Sequence, residues 1–124
     1  MKNIKTIDIN EYEKVIQYII DCNEFHDFRI GGFDYDSQER KAKIFVEEPD
    51  YGKKYAHDDV INTFVFELNE IEKFCFNTDL VLRPYILEFN ETGDKELTIA
   101  LANGNITFKA KKIKLTVPEQ IKNQ

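Results

Sequence analysis

From Phe25 onward, apolar side chains recur at every second position, and the phase of that alternation slips at Gly31-Gly32 and again at Lys111-Lys112. A period of two places alternate residues on opposite faces of a strand, leaving each strand one face for a core. After a slip, the next apolar residues would point to the wrong face unless the strand carried an extra residue there, as a β-bulge does. Phe28 and Ile30 share one phase and Phe33 and Tyr35 the other, with the glycine pair between them. Likewise Ile106, Phe108 and Ala110 precede the second slip, and Ile113, Leu115 and Val117 follow it. The pattern therefore predicts strands that bend to keep one continuous apolar face.

The remaining runs are Ala42-Ile44-Val46, Phe64-Phe66-Leu68, Ile71 to Phe76, Val81 to Phe89 with Pro84 as a bend or edge, and Leu97-Ile99-Leu101. Together these give about seven short strands. Asp36 to Arg40 reads as a hairpin turn, Glu91-Thr-Gly-Asp94 as another, and Asn103-Gly104 as a two-residue hairpin loop.

Only one segment has helical period. Tyr12, Val15, Ile16, Ile19 and Ile20 form a single stripe, predicting a helix over about 9–23. Asp8 and Glu11 have capping-box spacing, with Ile7 and Tyr12 as the flanking hydrophobic staple, and Asn10 with Glu13 offers a second register. Asn23 suits a left-handed stop. One helix followed by strands, with no strand-helix-strand alternation, indicates an α+β fold: one N-terminal helix packed on a curved, mostly antiparallel sheet of about seven strands. Residues 1–124 form a single domain on this reading, with strands over about 25–117 and a frayed tail at 118–124.

Ten Phe and six Tyr supply a large core, and the net charge of −6 argues against nonspecific nucleic-acid binding, which requires neutralised phosphates. The cations are concentrated late: Lys109, Lys111, Lys112, Lys114 and Lys122 stand against Glu119 alone in residues 105–124. The lysines of the last strand fit an edge strand that resists sheet-to-sheet pairing. No apolar run is long enough to span a membrane, and the start has no signal-peptide pattern, so a cytoplasmic location is expected.

Chemistry-bearing motifs are few. His26-Asp27 lies at the start of a strand, whereas HD-type phosphohydrolases place their ligands on several helices; that activity is excluded. His26, Asp27, His57 and Asp58 or Asp59 could form a two-histidine, one-carboxylate metal set only if the fold brings both His-Asp pairs together. More simply, Asp27 would fasten the turn out of the helix and pair with Arg29 two residues on. Tyr51, Lys53, Lys54 and Tyr55 mix rings and cations in the longest irregular stretch, an interaction loop without the phosphate-loop pattern. Cys22 and Cys75 read as small buried or half-buried hydrophobes, and no nucleophile motif is present. No catalytic residue, metal or cofactor is assigned.

The opening Phe25-His-Asp-Phe-Arg-Ile30 and the closing Ile106-Thr-Phe-Lys-Ala-Lys-Lys-Ile-Lys-Leu115 resemble small uncharacterised bacterial families, some of them similar to immunity proteins of polymorphic toxin systems. That resemblance implies a small acidic protein acting through its surface, with His26 and Asp27 as candidates. The leading expectation is a protein-binding module of immunity or antitoxin type, contacting its partner through Tyr51–Tyr55 and acids such as Asp58, Asp59, Glu70 and Glu72. Two alternatives stand beside it: a small-ligand or metal-binding protein using His26, Asp27 and His57, and a structural domain that oligomerises through an edge strand.

Overall fold

A computed structural model describes residues 5–50, 60–78 and 84–119 of the chain. Their order is β1 (Thr6–Ile9), α1 (Tyr12–Asp21), a 3-10 turn (Asn23–Phe25), β2 (Arg29–Asp36), β3 (Lys41–Pro49), β4 (Val60–Asn77), β5 (Ile86–Gly93), β6 (Glu96–Leu101) and β7 (Gly104–Pro118). All pairings are antiparallel and the sheet order is β2-β3-β4-β7-β6-β5, with β1 also on β7. The fold is α+β, as the alternation predicts.

The seven strands are not the seven read from the pattern. The runs Phe64–Leu68 and Ile71–Phe76 belong to one strand, β4, whose inward-facing residues change phase twice. Glu70 has φ 54°, and one residue is added between Ile71 and Lys73 in the pairing with β7. Hydrogen-bonded pairing continues through both irregularities, although the alternation does not. The missing strand is β1, which occupies residues assigned to a helix cap. Ile7 and Asp8 pair with Val117 and Thr116, so α1 starts later, with Glu11 as its N-cap and no side-chain cap bond. Pro118 closes β7 opposite Thr6, and the Glu119 N–H donates to Lys5 O, so these two residues are not frayed; the rest of the expected tail, 120–124, lies outside the described residues.

Both predicted slips are present. In β2 the register with β3 shifts between Ile30 and Gly32, which lets Ile30 lie opposite Val46 and Phe33 opposite Ile44 on one face. In β7, Ile106, Phe108, Ile113, Leu115 and Val117 are all buried while Lys111 and Lys112 are exposed. The two ends of the sheet meet. Arg29 bridges to Tyr85, and three hydrogen bonds form a seam: Asp27 N to Ile86 O, Ile86 N to Phe28 O, and Ile30 N to Pro84 O. Pro84 lacks an N–H, but its carbonyl serves the seam. Phe33 of β2 also lies within 4.5 Å, centroid to centroid, of Phe76 on β4.

Helix α1 lies over the apolar face, with Val15 and Ile19 buried and Tyr18 against Phe25 and Phe64. The Tyr12 hydroxyl donates to Glu91 on β5, tying the helix start to the far strand. Strand β7 has β4 on one side and β6 and β1 on the other, but β6 covers only 104–109 and β1 only 115–118, so among the described strands Lys111, Lys112 and Lys114 lie where β7 is paired on its β4 side alone. Lys114 pairs with Glu67 at 2.6 Å and Asp8 at 3.8 Å, and Lys112 pairs with Glu70 at 3.2 Å. The hydrogen bond from Lys114 holds the Glu67 carboxyl below its ordinary value.

The β6–β7 loop is Ala102-Asn103, one residue earlier than the Asn-Gly signal suggests, and Gly104 opens β7 opposite Leu101. Gly104 has φ +154°, and a Cβ there would sit 1.9 Å from the backbone oxygen of Asn77. Gly104→Ala should therefore cost on the order of 3 kcal/mol of stability. Gly32→Ala, whose Cβ would meet nothing within 4 Å, should leave stability unchanged or raise it by up to ~1 kcal/mol. Urea unfolding of the two variants beside the parent checks this contrast.

Candidate functional site

The turn after α1 has the least ordinary backbone of the described residues. Asn23, Glu24 and Phe25 have φ of 56°, 55° and 54°, and Asp27 has φ 69°. Consecutive left-handed residues other than glycine cost roughly 1–2 kcal/mol each, so their contacts must offset that. Phe25 is fully buried, and its ring centroid lies 5.0–6.4 Å from those of Tyr18, Phe28, Phe64, Phe66 and Phe89. Glu24 turns the other way and accepts the Phe89 N–H at 3.3 Å.

His26 and Asp27 continue along the β5 edge. His26 Nδ1 lies 2.8 Å from the Leu87 carbonyl oxygen. A carbonyl only accepts, so Nδ1 carries the proton. Nε2 faces Asp27 Oδ1 at 3.5 Å. The Asp27 N–H donates into the seam, so the pair fastens the turn onto β5. Among the described residues no group of three His, Cys, Asp or Glu is placed to hold a metal. Tyr51, Lys53, Lys54, Tyr55, His57, Asp58 and Asp59 lie outside the described residues.

Arg29 is 1% exposed, and its partner is Glu47 on β3 rather than Asp27. Arg29 Nε donates to Glu47 Oε1 at 3.0 Å, whereas Asp27 is exposed on the turn side of the seam. Cross-strand pairing places Glu47 directly opposite Arg29. Gly31 leaves the space that the carboxylate fills, since a Cβ there would lie 2.4 Å from Glu47 Oε2. Among the described residues Arg29 Nη2 has no hydrogen-bond partner. Shielded in this way, Arg29 is a structural cation behind the seam and not a surface contact. Glu47→Ala strands that cation and should cost about 3–5 kcal/mol, whereas the double change Arg29→Met with Glu47→Leu should cost less than the single one. Chemical denaturation of the three proteins decides it; a single variant losing under ~1 kcal/mol would remove the pair's structural role.

The cysteines differ. Cys22 is half-buried, and burial raises its thiol pKa. Burial, followed by the neighbouring Cys22, pushes Tyr18 up to about 12. Cys75 is exposed, against the expectation from its Phe neighbours, because the residue added near Glu72 turns Phe74 and Phe76 inward and Cys75 outward. A chromogenic disulfide reagent at pH 8 should titrate one thiol rapidly in the native protein, and Cys75→Ser should abolish that phase. The second thiol should react only on unfolding.

Among the clefts on the described surface, two have room for more than a side-chain atom. One, of about 460 Å³, lies over β2, β3 and β4 and is lined by Asp34, Lys41, Lys43, Glu67 and Asn69. Its charges are partly satisfied within the sheet, since Lys43 pairs with Glu67 at 3.4 Å. The other, of about 200 Å³, lies between α1 and β5 and has an apolar floor, with Glu24 and Glu91 among its lining residues. Sequence reasoning missed it because its two walls are far apart in the chain. The unpartnered Ile20 at the end of the helical stripe was the one local signal. Compared with family models, curated proteins and solved structures, the chain has no match.

Proposed function

We propose that this chain is a protein-binding module of immunity or antitoxin type, a small bacterial protein that masks a partner by surface complementarity. The observation that supports this reading is the separation of its charges. The β7 lysines Lys112 and Lys114 are tied to acids of β1 and β4, and Lys73 is tied to Glu96. On α1, the 3-10 turn and β5, by contrast, Glu13, Asp21, Glu24, Glu88 and Glu91 stand against Lys14 alone, and Lys14 is paired with Glu11. Of the net charge of −6, these neighbouring elements carry −4. Exposed Ile20 and Leu87 lie on the same elements, giving the mixture of apolar anchor and charged surround that protein interfaces use. Acidic surfaces of this kind steer basic partners and repel nucleic acid and anionic lipid. Glu70, tied to Lys112, is a weaker contact candidate than the sequence alone indicates, while Glu72 is exposed.

Affinity capture from the native host at moderate salt, followed by size-exclusion chromatography of the mixture, tests the reading. A partner should co-elute in fixed ratio and dissociate as salt rises. A chain that stays monomeric and retrieves nothing at any salt refutes it.

A further inference from the structure

We infer that the cleft between α1 and β5 receives a lysine or arginine side chain from a basic, amphipathic segment of a protein partner. This rests on the protein-binding reading above and names the surface and the chemistry it selects. The floor is Ile16, Ile19, Phe89 and Leu97, and Ile20 beside them is 56% exposed. Glu24 and Glu91 also line the cleft. Both carboxylates are held in place by the fold: Glu24 by its left-handed backbone and the Phe89 N–H, Glu91 by the Tyr12 hydroxyl. Each ionised carboxylate has about four lone-pair sites, so each keeps acceptor capacity after those bonds. Among the described residues neither makes an ion pair with a cation.

An apolar floor with carboxylates around it matches the two halves of a long basic side chain, whose aliphatic stem packs while its head reaches the acids. Because the carboxylates are already ordered, binding loses little side-chain freedom on this side of the interface. At about 200 Å³ the cleft lies below the roughly 300–1,000 Å³ typical of small-molecule sites, so it fits one anchoring side chain and not a cofactor. Ile20, beside that anchor, offers apolar surface to the partner's neighbouring residues. This is why the occupant is an amphipathic segment rather than a free polyamine.

The test titrates the isotope-labelled full chain with a synthetic helical peptide of leucine and lysine at amphipathic spacing. A leucine-glutamate peptide and spermine serve as controls, with amide chemical shifts as the readout. Saturable shifts at Ile16, Ile20, Glu24, Phe89 and Glu91 are expected with the basic peptide, and weaker ones with spermine. Glu24→Gln with Glu91→Gln keeps the fold's hydrogen-bond acceptors and removes both charges; it should weaken the peptide about tenfold. Ile20→Ser should weaken the peptide but not spermine, and Asp34→Asn should change neither. Equal binding of the acidic peptide, shifts centred on another face, or no saturable shift overturns the inference. In a parallel capture from the host, Ile20→Lys retrieving the parent's partner undiminished overturns the cleft and leaves the protein-binding reading standing. Retrieval of no partner by the parent chain refutes both.

Discussion

The packing of Phe25 is the contact on which the rest of the structure depends. Its ring meets side chains from α1, β4 and β5 as well as Phe28 beside it. Full burial of a phenylalanine contributes on the order of 2–3 kcal/mol, and aromatic neighbours add to that. This stabilisation offsets the left-handed run Asn23–Phe25, and that run in turn aims Glu24 and His26 at the backbone of β5. Core, seam and cleft are therefore linked. The backbone conformation that inserts the ring also places a carboxylate at the cleft and covers part of a strand edge that would otherwise invite pairing.

Much of this architecture was legible in the chain because it follows from local periodicity. The Gly31-Gly32 slip marks a real irregularity against β3, and the Lys111-Lys112 slip leaves Phe108 and Ile113 both buried although the β4–β7 register runs through it unshifted. Features that depend on distant partners were not legible. β1 is only four residues long and its Ile7 is half-exposed, so nothing local separates it from a helix cap; β7 makes it a strand. The two runs of β4 look like two strands because Glu70 and the added residue break the alternation but not the pairing. Arg29 finds Glu47 across a hairpin, a choice set by register rather than by the nearby Asp27. The candidate site divides in the same way. His26 and Asp27 were visible as a pair, but their attachment to Leu87 and Ile86 required knowing that the sheet closes, and the α1–β5 cleft leaves only Ile20, at the end of the helical stripe, as a local trace.

Composition alone also misplaces the electrostatics. The late cluster of lysines looks like a basic patch in sequence, but in the fold Lys112 and Lys114 lie beside Glu70 and Glu67 across the β4–β7 ladder. Individually such exposed pairs contribute little to stability. Their larger effect is on the field outside the molecule, because they cancel the charges of Lys112 and Lys114 locally, whereas the acids of α1 and β5 have only Lys14 among them.

Thr6 faces Pro118 across the sheet, so the first described strand is completed by nearly the last. At roughly 5–20 residues per second, a ribosome takes on the order of ten seconds to travel between those two points. Until the later strands are made, Val15 and Ile19 of α1, and Phe25 after it, lack the side chains that cover them, which for Phe25 include Phe64, Phe66 and Phe89. The fold cannot be assembled from its N-terminal end, and non-local pairing of this kind is intrinsically slow. Native packing of the apolar stripe therefore follows synthesis of the later strands, so where the partners lie along the chain matters as well as final stability.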